Sequence, residues 1–176
     1  GLAGHDAGFE RYVKSASVSE RLRSVLPDCD LVVGTEEEVH IAGGATDSRQ
    51  ALCRIRELGS ALIVMKRGPM GCVVYPDAIP DALDKGIVGK GFPIEVYNVL
   101  GAGDSFMSGL LSGWLNGRAW NDAATRANAC GAFAVSRLLC SPEIPTWEEL
   151  QFFLEHGSPF KALRKDEAIL ETINCQ

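Results

Sequence analysis

A short glycine-rich run is the part of this sequence best suited to chemistry. It stands between an extended segment and a helical pattern of apolar residues, and it consists of Gly101, Ala102, Gly103 and Asp104. Glycines permit a tight turn and close approach by a ligand, and the first amides of a helix lack helical partners and carry positive potential. Such donors suit a phosphoryl group in transfer, whose charge spreads over its oxygens. Asp104 could accept a proton from a substrate hydroxyl, or it could serve only as a helix cap.

Two further segments could contact a nucleotide. Residues 66–71 (KRGPMG) predict a turn between two apolar strands, where Lys66 offers a cation and Gly68 and Gly71 permit backbone amides near phosphates. Small residues recur at helical spacing on a later segment, where an asparagine offers its amide to a base or ribose; the set is Ala124, Asn128, Gly131, Ala132 and Val135. An ordinary hairpin and tight helix packing explain the same residues, so both interpretations stay open.

Alternating helices and strands would position these residues. Apolar runs predict strands at residues 30–34, 61–66, 72–75 and 92–99. Helical spacing predicts helices at residues 17–26, 35–42, 46–58, 101–116, 121–138 and 146–156, with a polar connection at 77–90. The expected helix caps are two capping boxes, Thr35 with Glu38 and Thr146 with Glu149, and the side chain of Asn121. The order predicts an α/β fold with a largely parallel sheet and helices on its faces.

Composition and charge exclude several classes of function. The net charge of the 176 residues is −6, and no basic stripe of the kind found in nucleic-acid binders occurs. The longest aliphatic run, residues 61–65, is far shorter than a membrane span. The 6 cysteines form no C-x-x-C pair, which argues against zinc and favours reduced thiols. We therefore expect a cytoplasmic protein without a nucleic-acid or membrane partner.

Three stretches of the sequence resemble the PfkB (ribokinase-like) carbohydrate kinases: NVLGAGDSFMSGLLSGWLNG, KRGPMGCVVY and ANACGAFAVSR. The resemblance covers about residues 30–154. It implies that residues 1–176 are the C-terminal part of one kinase domain, ending in a tail at 157–176, with an incomplete ribokinase-like α/β fold. The N-terminal half and the lid, which supply most sugar contacts in the family, have no counterpart. The implied activity is ATP-dependent phosphorylation of a sugar or sugar-acid hydroxyl, with Mg²⁺ as a second cofactor.

The resemblance also implies a role for each matching residue. Asp104 would be the catalytic base, beside an anion hole formed by the backbone of Gly101, Ala102 and Gly103. The ATP contacts would be Lys66, Gly68 and Gly71 at the phosphates and Asn128, Gly131 and Ala132 at the adenosine. Glu38 matches the glutamate of the family's N-x-x-E motif, and it would organise magnesium mostly through water.

The sequence departs from the family pattern at three places. Thr35 replaces the asparagine of N-x-x-E, so the metal role rests on Glu38. Asn98 and Val99 replace an aspartate and a threonine, and Leu138 and Leu139 follow where relatives often have a glycine. In the family, that aspartate and the loop that contains that glycine contribute to a monovalent-cation site. Because both differ in this sequence, dependence on such a cation stays open.

Other functions compete with this interpretation. The resemblance leaves open which sugar is the substrate, with fructokinase, ribokinase and 2-keto-3-deoxygluconokinase activities as alternatives. It also allows a homo-oligomer formed through the lid region. A fragment that binds a nucleotide without turnover is a second, non-enzymatic hypothesis. A dehydrogenase is disfavoured, because the glycine run lacks the third glycine and the later acidic residue of a dinucleotide-binding fingerprint.

Overall fold

Six α-helices and four β-strands make up the part of the chain that the computed structural model describes, residues 16–59, 62–137 and 144–157. The helices are α1 (Ala16–Val25), α2 (Glu36–Gly43), α3 (Ser48–Glu57), α4 (Ala102–Leu115), α5 (Trp120–Val135) and α6 (Trp147–His156). The strands are β1 (Leu31–Thr35), β2 (Leu62–Lys66), β3 (Cys72–Tyr75) and β4 (Ile87–Gly89). Short 3-10 turns lie at Leu26–Asp28, Gly68–Met70 and Leu83–Lys85. The predicted α/β class is confirmed. No helix in the described ranges is long and apolar enough to cross a membrane.

The four strands form one sheet in the order β1-β2-β3-β4. Strands β1 and β2 run parallel, with Thr35 opposite Lys66, and the connection between them contains α2 and α3. Strands β2 and β3 are antiparallel, with Lys66 opposite Cys72, because the link between them is too short for a parallel crossover. The sheet of the described residues is therefore mixed: the β1–β2 pairing is parallel and the β2–β3 pairing is antiparallel.

The internal contacts divide the chain into two compact units. The first contains the residues up to Gly68 together with Cys72–Val88, and the second contains Pro69–Gly71 and the residues from Gly89 onward. The core of the first unit combines side chains of α2, α3, β2 and β3; those with 0–1% exposure include Leu52, Ile55, Ile63, Val73 and Tyr75. Burial of one such side chain contributes about 1.5–3 kcal/mol to folding.

The second unit is built on α4, α5 and α6. Helices α4 and α5 lie with their backbones in near contact, because a Cβ atom at Gly109 would lie only 2.8 Å from the Arg126 carbonyl oxygen. Helix α6 packs on α5 through Phe133 and Phe153, whose ring centroids are 6.0 Å apart. The small residues of α4 therefore determine how closely the two helices approach.

A charged cluster joins α5 to α6. The guanidinium carbon of Arg126 lies 4.7 Å from the centre of the Trp147 ring, and its Nε lies 3.3 Å from both carboxylate oxygens of Asp122. Arg118 donates to the same carboxylate at 3.0 Å. Burial acts to raise the pKa of Asp122, but the hydrogen bonds from Arg118 and Arg126 outweigh it and lower the pKa below its ordinary value.

Both predicted capping boxes are confirmed. At the start of α2, Thr35 Oγ1 accepts from the Glu38 amide at 3.3 Å, and the Glu38 carboxylate accepts from the Thr35 amide at 2.6 Å. Thr146 and Glu149 make the same reciprocal pair at the start of α6, at 3.3 and 2.8 Å. These two helix starts follow from local sequence alone.

Two other helix starts differ from the prediction. Helix α3 begins at Ser48 rather than residue 46, because the Asp47 side chain accepts from the Gln50 amide at 2.7 Å and acts as the cap. The predicted cap of α5 at Asn121 is wrong, because Trp120 already lies in the helix. The Trp120 ring packs 6.1 Å from that of Trp114, centroid to centroid, and this contact with α4 favours the earlier start.

The predicted strand at residues 92–99 is wrong. The segment contains no regular structure, and Phe92 and Ile94 pack instead against the core between α5 and α6. Its alternation of apolar residues therefore reflects packing on helices. The amide of Tyr97 donates at 2.8 Å to the carbonyl of Val135, which is one of the groups that a helix end leaves unpaired. The short strand β4, by contrast, lies in the segment predicted to be a polar connection, residues 77–90.

Candidate active site

The glycine-rich run forms the start of α4, as predicted. Gly101 is its N-cap, with φ 81° and ψ −4°, a left-handed conformation that favours glycine. The amide of Ala102 donates to the Val99 carbonyl at 3.3 Å. The amides of Gly103 and Asp104 stand in the first turn, and they have no hydrogen-bond acceptor among the described residues. These two amides are therefore the ones best placed to bind an anion.

Asp104 is exposed in the first turn of α4. Gly101 rather than Asp104 is the N-cap, and no side-chain hydrogen bond caps this helix. Within the described residues the carboxylate takes part in no ion pair. The alternative in which Asp104 serves as a cap is therefore not supported by a capping bond, and its carboxylate is accessible to a substrate.

Ser105 attaches this helix start to α5, and sequence reasoning missed it. Its side chain is 0% exposed, and its hydroxyl donates to the Cys130 carbonyl at 2.8 Å. The sequence signal for this contact was a hydroxyl-bearing residue next to Asp104 on the apolar face of the predicted helix. Cys130 is itself buried, and burial raises the pKa of its thiol to about 11. The thiol therefore stays protonated at neutral pH.

The first unit brings Glu38 and Lys66 together at the carboxyl ends of two parallel strands, the edge at which ligands bind in α/β sheets. The pairing of Thr35 with Lys66 sets the lysine beside the start of α2. Lys66 Nζ lies 3.9 Å from Glu38 Oε2, which also accepts the Thr35 amide. The Glu38 side chain is 61% exposed and that of Lys66 23% exposed. An exposed pair of this kind contributes at most about 1 kcal/mol.

Magnesium fits this edge only as a phosphate-bound ion. The described residues contain no group of three or more His, Cys, Asp or Glu side chains that could hold a metal. Magnesium, however, is commonly bound through one or two carboxylates, water and the phosphates of a nucleotide. The exposed Glu38 carboxylate can supply such a contact, because the capping bond uses only its Oε2 atom.

The turn between β2 and β3 contains two glycines with positive φ. Gly68 has φ 55°, and a Cβ atom there would meet nothing within 4 Å, so its surroundings are open. Gly71 has φ 84°, and a Cβ atom there would lie 2.5 Å from the Gly91 amide nitrogen. Glycine is therefore required at position 71, both by the left-handed backbone conformation there and by the nearby backbone of Gly91.

The predicted adenosine residues lie on α5. Asn128 is 8% exposed, and its Nδ2 donates to the Lys90 carbonyl at 3.2 Å. A Cβ atom at Gly131 would lie 3.5 Å from the Ala102 carbonyl oxygen, and Ala132 packs against the core between α5 and α6. Packing thus accounts for Ala132, whereas the space at Gly131 would admit a Cβ atom, and the predicted contact of both residues with adenosine stays a prediction.

The two units hold different parts of the predicted site. Glu38, Lys66 and Gly68 belong to the first unit, and the other predicted residues belong to the second. Asn98, at the departure from the family pattern, accepts the Leu100 amide at 3.0 Å. Leu138 and Leu139 lie outside the described residues.

Comparison with known proteins identifies the family. Residues 3–147, which are most of the chain, match the sequence model of the pfkB family carbohydrate kinases. The chain belongs to this family. Among solved structures, an E. coli ribokinase II candidate in complex with ATP and Mg²⁺ superposes on this pfkB chain with a TM-score of 0.71 at 24% identity. The likeness covers 82% of this chain and 45% of that one. It shows that the fold is ribokinase-like.

This pfkB chain is also similar to curated proteins named 5-dehydro-2-deoxygluconokinase. The one from Geobacillus kaustophilus is 27% identical over 141 residues, which are 78% of this chain and 41% of that protein. The one from Photobacterium profundum is 32% identical over 132 residues, or 72% of this chain and 38% of that protein. The chain thus spans about two fifths of the length of these relatives.

Proposed function

We propose that the protein transfers the γ-phosphoryl group of ATP to a hydroxyl group of a sugar acid. The proposed substrate is 5-dehydro-2-deoxy-D-gluconate, phosphorylated on its 6-hydroxyl in inositol catabolism. The observation that carries the proposal is the start of α4, where an accessible Asp104 carboxylate adjoins the open amides of Gly103 and Asp104 after a left-handed Gly101. Support for this substrate over other sugars comes from the names of the relatives.

In the proposed reaction Asp104 accepts the proton of the substrate hydroxyl while the hydroxyl oxygen forms a bond to the γ-phosphorus. The bond between that phosphorus and the bridging oxygen of ADP breaks. The open amides of α4 stabilise the negative charge on the transferred group. Positioned proton transfer of this kind typically contributes about 100- to 10,000-fold to the rate.

ATP and magnesium are the proposed cofactors. Magnesium, when bound, neutralises charge on the phosphates. Glu38 would hold it through water, Lys66 would contact a phosphate, and Asn128 would lie on the nucleotide side of α5. Cytoplasmic localisation and a homo-oligomer stay predictions.

A substrate panel tests the proposal. The protein is incubated with Mg-ATP and, in separate reactions, 5-dehydro-2-deoxy-D-gluconate, fructose, ribose and 2-keto-3-deoxygluconate. We expect the highest kcat/KM for the first compound, measured by ADP release and by identifying the phosphorylated product. A preference for another sugar would reject the substrate and leave the kinase reaction standing. Binding of ATP without turnover of any sugar would instead favour the non-enzymatic hypothesis.

A further inference from the structure

Two backbone segments of the second unit lie directly against each other. A Cβ atom at Gly71 would lie 2.5 Å from the Gly91 nitrogen and 2.7 Å from the Lys90 carbonyl carbon. A Cβ atom at Gly91 would in turn lie 2.8 Å from the Pro69 carbonyl carbon and 2.9 Å from the Gly71 nitrogen. Real Cβ atoms do not approach other atoms this closely, so only glycine fits at either position. The conformation of the Pro69–Gly71 turn therefore depends on where residues 89–91 lie.

Asn128 is hydrogen-bonded to the segment of residues 89–91. Its Nδ2 donates to the Lys90 carbonyl at 3.2 Å across 38 residues of sequence. The asparagine is 8% exposed, and its neighbours Ala127 and Ala129 are 0% exposed, so this part of α5 is firmly anchored. A hydrogen bond made by a buried side chain typically contributes about 0.5–1.5 kcal/mol. This bond therefore favours the arrangement in which the Lys90 carbonyl lies beside Asn128.

We propose that Asn128 is a positioning residue, which holds residues 89–91 against the Pro69–Gly71 turn and thereby sets the geometry of that turn. The role in ATP binding rests on the proposed function, in which the turn contacts the phosphates. The family resemblance implies contact between Asn128 and adenosine, which would make its effect depend on the base. A positioning role acts on the phosphate contacts, so its effect is the same for every nucleoside triphosphate.

Amide hydrogen exchange on the protein without nucleotide tests the positioning directly. Asn128→Ala and the isosteric Asn128→Asp, which cannot donate to a carbonyl, should speed exchange at residues 70–71 and 89–91 by roughly five- to tenfold. Asn121→Ala is the matched control, because it removes the same amide from an exposed position in the first turn of α5. Having two variants keeps the test decisive if one of them folds poorly. Exchange at these residues equal to that of the control would overturn the proposal.

Titration with ATP and with GTP tests the consequence for binding. We expect Asn128→Ala to weaken binding of both nucleotides by the same factor, roughly five- to tenfold. A change in the ratio of the two affinities would show that Asn128 reads the base, and the proposal would then be rejected. If the unaltered protein binds neither nucleotide, the proposed function fails, while the exchange measurement still decides whether Asn128 positions the turn.

Discussion

Replacing Asp104 with asparagine separates a chemical role of this residue from a structural one. The substitution keeps the size and polarity of the side chain and removes its ability to accept a proton at neutral pH. Since Gly101 is the N-cap of α4 and no side chain caps that helix, no capping bond is lost. The structural cost is limited to the interaction of a charge with the helix dipole, about 0.3–1 kcal/mol. The variant should therefore fold almost as stably as the unaltered protein.

The expected effect on catalysis is much larger. Loss of the base should lower kcat by about 100- to 10,000-fold, which corresponds to about 3–5 kcal/mol of transition-state stabilisation. The affinity for ATP should change little, because the proposed nucleotide contacts do not include this carboxylate. The assay combines steady-state kinetics, an ATP titration and urea unfolding on the same preparation.

Glu148→Gln provides the matched control. Glu148 is an exposed carboxylate in the first turn of α6, so its replacement removes the same kind of dipole interaction away from the proposed site. We expect a similar small loss of stability and an unchanged kcat. Near-normal kcat in Asp104→Asn, with the folded fraction verified by circular dichroism, would refute the role of Asp104 and with it the core of the proposed mechanism.

Three further predictions test packing, metal binding and pH dependence. Gly109→Ala should destabilise the protein by about 1–3 kcal/mol in urea unfolding, because its Cβ would meet the Arg126 carbonyl oxygen at 2.8 Å. The control Gly131→Ala, whose Cβ would have its nearest contact at 3.5 Å, should not destabilise the protein. Equal losses of stability in the two variants would contradict the packing argument. Glu38→Gln should raise the Mg²⁺ concentration for half-maximal activity about tenfold with little loss of stability, and an unchanged Mg²⁺ requirement would remove Glu38 from the metal site. The folded-state pKa of Asp122 is lowered, so its stabilising effect is present above its unfolded pKa and is lost as the pH falls through the folded value. Asp122→Asn should therefore lower the free energy of unfolding at pH 7, and the difference from the unaltered protein should shrink as the pH falls. A difference in unfolding free energy that does not depend on pH would contradict the stabilising role of the Asp122 carboxylate.

Features that depend on neighbours in the chain were determined by the sequence itself. The two capping boxes, the apolar strands β2 and β3 and the helix that begins after Gly101 all follow from residues within one or two turns of each other. The accessible Asp104 belongs to this group, because a carboxylate in the first turn of a helix stands next to unpaired amides in any fold. The chemically most informative part of the candidate site could thus be predicted.

Contacts between distant residues were decided only by the tertiary structure. The alternation of Phe92 and Ile94 predicted a strand, but these side chains pack on helices. An alternating apolar pattern indicates which side chains are buried, and it does not indicate which element covers them. The hydrogen bonds from Ser105 to Cys130 and from Asn128 to Lys90 span 25 and 38 residues. They therefore cannot be predicted from a local sequence pattern. The Ser105 bond joins two helices whose backbones Gly109 allows to approach closely, and that approach is a property of the folded chain.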